Sequence, residues 1–148
     1  MCSDTVTLFN RVTAREGDTW YPIVLHNVDL NMDKAAVIAK YGAESADSAM
    51  LHVRYTPKGG KMYIGEREYL PPKAWEAREE PETTITFTSG TDFDFFWAGD
   101  WGNEEPITLT DTTEDFYTFL NRTKDNVFAI SSVGGPYSLI PHFEILGR

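Results

Sequence analysis

Short segments in which apolar and polar residues alternate at every second position constrain this chain more than any other feature. A period of two sends successive side chains to opposite faces of an extended strand, so each segment predicts one face in a core and one in solvent. Val6, Leu8 and Asn10 alternate with Thr7, Phe9 and Arg11, and Leu51, Val53 and Tyr55 alternate with His52 and Arg54. Ile85 and Phe87 alternate with Thr84, Thr86 and Thr88, and Phe93, Phe95 and Trp97 with Asp92 and Asp94. Two closing segments run from Val127 to Val133 and from Tyr137 to Leu146. Gly17-Asp18, Pro57-Lys58-Gly59-Gly60 and Gly134-Gly135-Pro136 divide the runs, since glycine supplies positive φ and proline removes a ladder donor. Short strands at this spacing predict a mainly β fold, a small antiparallel β-barrel or sandwich.

Three stretches break the alternation. Thr113 to Lys124 predicts one added helix, with Asp111, Thr112 and Thr113 as candidate caps, acids in its first turn, and Phe116, Phe119 and Leu120 on one face. Pro72 to Arg78 fits a single short helical turn. Asn31 to Ser48 is rich in small residues and reads as a long loop, either opening a helix or leaving the barrel. The 148 residues suit a single domain. Its barrel core is expected at about 5–71 and 126–146, an inserted strand and helix at about 72–125, and the long loop at about 31–48.

Charge and cysteine usage narrow the partners. With 13 basic and 23 acidic residues the chain carries −10, a surface that repels phosphate backbones and argues against gripping nucleic acid. A ring that only lets DNA pass is compatible with it. Cys2 has no cysteine partner for an internal disulfide, and no apolar run approaches the roughly 20 residues that span a bilayer. The expectation is assembly in a cytoplasm with no membrane partner.

No chemistry-bearing motif stands out. His26, His52 and His142 fall on predicted strands, but their spacing pairs none of them, so they read as solvent-facing strand positions rather than zinc ligands. Asp92 and Asp94 share a predicted face, with Asp100 and Glu104 soon after. Without a defined loop of oxygen ligands, they read as an acidic solvent or interface face. Glu79-Glu80 and Glu104-Glu105 lie beside Pro81 and Pro106 in turn-like contexts that give paired carboxylates no opposed environments. Nucleophile-elbow, phosphate-loop and two-histidine protease sequences are absent, so the chain is expected to be no enzyme and to hold no metal or cofactor. Asn121-Arg122-Thr123 reads as the end of the helix. Trp20, Trp75, Trp97 and Trp101 read as core and interface anchors, with a sugar-binding groove of a tail or baseplate module as the alternative. A small hydrolase would require a cleft of clustered, perturbed acids or histidines.

The order of elements resembles the head–tail joining proteins of tailed bacteriophages, the stopper-type neck proteins with a small β-barrel. The resemblance rests on "VTLFNRV" from Val6 to Val12, "GDTWYPIVL" from Gly17 to Leu25, "MLHVRY" from Met50 to Tyr55 and "GEREYL" from Gly65 to Leu70. It covers about residues 5–71 and the final strands. The C-terminal "SSVGGPYSLIPHFEILGR" is similar to uncharacterised proteins of phage structural gene clusters. The resemblance implies a virion protein without catalytic residues, a homo-oligomeric ring around the DNA channel. Its partners would be portal or adaptor proteins on one side and tail proteins on the other, with DNA passing unread. Residues 72–125 depart from the stopper pattern and leave an adaptor or a tail terminator as alternatives.

On that reading the long loop is the interaction segment, carried by Asp33, Lys34, Val37, Ile38, Lys40, Tyr41, Glu44 and Asp47. It has too little apolar area to anchor a core layer, yet Val37, Ile38 and Tyr41 call for cover from a neighbouring subunit, an adjoining ring or the lumen. Lys34 and Lys40 suit acidic groups on that partner, and Glu44 and Asp47 discourage DNA from sticking. A surface helix packed on its own barrel is the alternative.

Overall fold

A computed structural model describes residues 3–15, 17–32, 48–77, 80–108 and 114–148, and the chain is mainly β. β1 (Asp4–Ala14) and β2 (Gly17–Asn31) form a long antiparallel hairpin, and β3 (Ala49–Arg54) pairs with the far end of β2. Two tight turns then link β4 (Thr56–Lys58), β5 (Lys61–Ile64) and β6 (Arg67–Tyr69). Gly59 and Gly60, at φ +62° and +79°, make the first of these, a left-handed conformation that suits a two-residue hairpin and disfavours side chains. A short helix α1 (Pro72–Glu76) and a 3-10 turn lead to β7 (Thr84–Ile85), which runs parallel to β6. β8 (Phe95–Trp97), β9 (Ile107–Thr108), helix α2 (Phe116–Thr123), β10 (Val127–Tyr137) and β11 (His142–Gly147) complete the order.

The ladders close on themselves in the sequence β1-β8-β10-β11-β3-β2 and back to β1, with β9 attached to β2. The second sheet, β4-β5-β6-β7, lies over the interior, giving a sandwich-like arrangement. Val6, Leu8, Ile23, Leu51, Val53, Phe96, Phe128, Phe143 and Ile145 fill that interior together with Tyr55, Tyr69, Ile85 and Phe87.

A second core occupies the outer face of β1, β8 and β10. Phe9, Phe95 and Val127 point there, against Trp20, Phe116 and Leu120, with Trp97, Trp101 and Ile107 at its margin. Phe9 stacks on Phe95 at 4.8 Å, and Phe116 meets Phe9 edge-on at 5.3 Å. The expectation of one solvent face per strand therefore fails for these strands. In β1, α2 and the 97–108 segment cover Phe9 on the face that periodicity assigns to water, and just before β8 the side assigned to water carries the buried Asp94.

Three local expectations also change. The last two strands are not divided at Gly134-Gly135-Pro136, because β10 runs through these residues and the chain turns at 138–141. The register shifts between Gly134 and Tyr137, so the irregular residues are absorbed in a bulge rather than ending the strand. α2 begins later than the predicted Thr113: its cap is Asp115, which accepts from Thr118 N at 2.7 Å. Residues 109–113, with the candidate caps Asp111, Thr112 and Thr113, lie outside the described residues. Phe119 leaves the expected helix face; it is 43% exposed and flanked by Arg122, while Phe116 and Leu120, four apart, are buried.

The β2–β3 register ends at Asn31↔Met50, and Ser48 N still donates to Gly147 O. Neither contact needs residues 33–47. Replacing those residues by two glycines is expected to leave the chain folded and to raise stability by about 1–2 kcal/mol, because each halving of a loop is worth roughly 0.6 kcal/mol. Chemical denaturation checks this, and a variant that no longer folds would count against it.

Candidate functional site

The outer face of β2, β3 and β11 gathers polar side chains into one row. Cross-strand pairing sets His52 opposite Asp29 on one side and Glu144 on the other, and His142 lies two residues before Glu144 on the same face of β11. The inward neighbours Leu51, Val53, Phe143 and Ile145 are in the core, which holds the alternate positions outward. His52 Nε2 and His142 Nε2 both stand 3.4 Å from Glu144 Oε1. Asp29 Oδ2 is 3.8 Å from His52 Nδ1, a buried atom that makes no hydrogen bond. His142 Nδ1 bonds the Ile140 carbonyl, and the Tyr137 ring lies 5.0 Å from the His142 ring.

This row sits beside the β10–β11 turn, which carries Leu139 at 96% and Ile140 at 61% exposed. The Asn31 and Ser48 ends of the long loop lie at the other end of β11, beside Met50 and Gly147. At about 3.3 Å per residue, β11 separates these two regions by roughly 16 Å.

The acidic pair is split. Asp92 is exposed, whereas Asp94 is buried, on the interior parity of β8 with Phe96. Arg11 N donates to Asp94 Oδ1 at 2.9 Å, and Thr88 N and Asn10 Nδ2 each donate to Oδ2 at 3.0 Å. Asn10 also donates to Thr86 O and accepts from Thr86 N, so the network ties β1 to the segment before β8. Burial pushes the Asp94 carboxyl up to about 7, against hydrogen bonds that pull it down. The predicted acidic solvent face is thus incorrect for Asp94: its oxygens satisfy donors that would otherwise be orphaned inside the fold.

Arg11, Thr13, Trp75, Glu76, Thr88 and Asp92 line an open depression of about 310 Å³ nearby. Arg11 is engaged there, 2.9 Å from Asp18 and stacked 4.9 Å from the Trp20 ring. The second acidic group is also tied down: Glu104 accepts from Val24 N at 3.0 Å and pairs with Arg67 at 3.1 Å.

A family model described as a family of unknown function (DUF6751) matches residues 1–148. The chain belongs to DUF6751. No curated protein and no solved structure matches it.

In this DUF6751 chain the predicted interaction residues Asp33, Lys34, Val37, Ile38, Lys40, Tyr41, Glu44 and Asp47 lie outside the described residues. His26 stays apart from the other histidines and is exposed, near Thr5 Oγ1. His52 and His142 come together although 90 positions separate them in the DUF6751 sequence, and Asp29 and Glu144 join them through strand register alone. Among the described DUF6751 residues, no helix is long and apolar enough to cross a membrane.

Proposed function

We propose that the chain is a structural virion protein of a tailed phage or prophage, a ring-forming, stopper-like component of the head-to-tail connector with no catalytic role. The observation that carries the reading is the β10–β11 turn, where Leu139 and Ile140 stand in solvent on a chain of net charge −10. Adjacent large apolar side chains at a hairpin tip gain free energy when a neighbour covers them. Their position opposite the ends of the long loop gives one subunit two separated contact regions, as a ring between two other rings requires. The sequence resemblance to neck proteins supplies the biological setting. Heterologous contacts between copies close into a ring when the rotation closes.

The sugar-binding alternative wants exposed, parallel aromatic rings. Trp20 and Trp75 are buried, and Trp97 and Trp101 meet edge-on at 87°, so this set supports packing instead.

Electron microscopy of the purified chain or of virions tests the proposal, with rings expected. Burial of Leu139 and Ile140 contributes about 1.5–3 kcal/mol each. A Leu139→Asp, Ile140→Asp variant is therefore expected to remain a folded monomer while losing at least roughly 100-fold in association. Rings that form unchanged in that variant, or a wild type absent from virions, would defeat the reading.

A further inference from the structure

Charge is segregated along this chain. Residues 79–121 hold eleven of the 23 acidic residues and no lysine or arginine. Residues 48–65 hold Arg54, Lys58 and Lys61 without one aspartate or glutamate, and residues 126–143 contain no acid, lysine or arginine. The fold joins these two acid-free stretches into one edge. Tyr55 N donates to Pro141 O, Tyr55 Oη donates to Tyr137 O, and Arg54 pairs in register with His142. The exposed Leu139 and Ile140 therefore stand beside Arg54, and Lys58 lies no more than about 10 Å of chain beyond Tyr55. Both cations are exposed, and among the described residues neither forms an ion pair.

An acidic counterpart lies toward the other end of β10. Trp97 pairs with Val127 at the start of that strand, and the turn follows Tyr137 at its end, roughly 30 Å away at about 3.3 Å per residue. The segment 97–105 presents half-buried Trp97 and Trp101 beside exposed Asp100 and Glu105. Ala98 N donates to Asn126 O, which holds the exposed Asp125 at the same margin. Lys124 Nζ, 4.8 Å from the Trp97 ring centre, offsets one of these charges. Among the described residues Asp100 bonds only within its own turn, to Gly102 N, and Glu105 and Asp125 form no ion pair.

Copies of a chain with net charge −10 repel one another, so a contact between them must set free cations against free acids. The two surfaces match in kind, aliphatic side chains against indoles and unpaired cations against unpaired carboxylates. They cannot meet within one chain, because the length of β10 separates them. Complementary surfaces at opposite ends of a subunit give a head-to-tail contact, the kind that closes a ring. We propose that the acid-free edge of Arg54, Lys58, Leu139 and Ile140 docks on the Trp97–Glu105 segment and Asp125 of a second copy. This contact rests on the ring reading above and adds which surface of one copy meets which of the next. The apolar pair supplies burial, while the charges set the register and exclude wrong pairings.

Analytical ultracentrifugation of the full chain tests the contact through a charge swap. The double variants Arg54→Glu, Lys58→Glu and Glu105→Lys, Asp125→Lys are each expected to weaken self-association about 10–100-fold, because like charges then face each other. Combining all four substitutions is expected to return affinity to within about threefold of the wild type. Lys73→Glu, a charge reversal on α1, is expected to leave it unchanged. Far-UV circular dichroism separates lost association from lost fold, and Arg54→Gln, Lys58→Gln replaces a reversed variant that unfolds. A combined variant that binds no tighter than its two parents overturns the proposal. So does wild-type affinity in both parents, or a wild type that stays monomeric at about 100 μM. Rings seen in virions beside any of those results would remove this contact and leave the ring reading standing. A restored charge swap in a chain absent from virions would do the reverse.

Discussion

Replacing Asp94 with alanine is expected to lower folding stability by about 3–5 kcal/mol, because three N–H donors lose their acceptor in a dry site at once. Arg11 N, Thr88 N and Asn10 Nδ2 all point at its two oxygens, and the residue is 1% exposed. Domains of this size are stable by only about 5–15 kcal/mol, so the loss consumes a large share of the total. Asp94→Asn keeps the volume but sets an NH2 group against some of those donors, and a smaller cost follows. The pair of variants also exposes a pH effect. The folded carboxyl holds its proton to about 7, and the unfolded one releases it near its model value of 3.8. Between those values the native state binds more protons than the unfolded state, so this group's contribution falls as pH rises from about 4 to about 7. The ceiling is about 4 kcal/mol at 1.36 kcal/mol per pKa unit. Urea denaturation of wild type and Asp94→Asn across that range checks it. A stability difference that stays constant with pH would show that Asp94 titrates alike in both states.

Phe143→Ala is expected to cost about 3–5 kcal/mol, the range for removing a buried aromatic side chain and leaving a cavity. Phe143 is fully buried where the two sheets meet, with ring centres 4.6 Å from Tyr69, 5.2 Å from Phe87 and 5.4 Å from Tyr55. Its loss detaches β4–β7 from the closed ladder as well as opening a void, so near-UV dichroism from Tyr55 and Tyr69 should weaken with the midpoint. Phe119→Ala, on the exposed side of α2, is the control and should stay within about 0.5 kcal/mol. Equal effects at the two positions would mean that the second sheet does not depend on Phe143.

The strands were legible because alternation is a local pattern. β1, β3 and β11 coincide with segments whose apolar residues recur at every second position, and Gly59-Gly60 marks a hairpin turn where positive φ is needed. Local pattern also located both helices, although residue 115 rather than 111–113 caps the second. Which side of a strand meets water is not local information. Phe9 looks like the outward half of an amphipathic strand until α2 and the 97–108 segment cover it. Asp94 looks solvent-facing until Asn10, Arg11 and Thr88 arrive from other elements to bind it.

The same distinction governs the candidate site. From its own residues the chain determined that it would be acidic, mainly β and free of recognisable catalytic motifs, since these follow from composition and short-range spacing. Register and closure decided the rest. β3 pairs with β2 on one edge and β11 on the other, which brings Asp29, His52, His142 and Glu144 into one row although they come from three separate parts of the chain. Spacing along the sequence carries no trace of that row, because strand pairing is a long-range choice made when both cores close, and a shift of one residue would turn His52 inward.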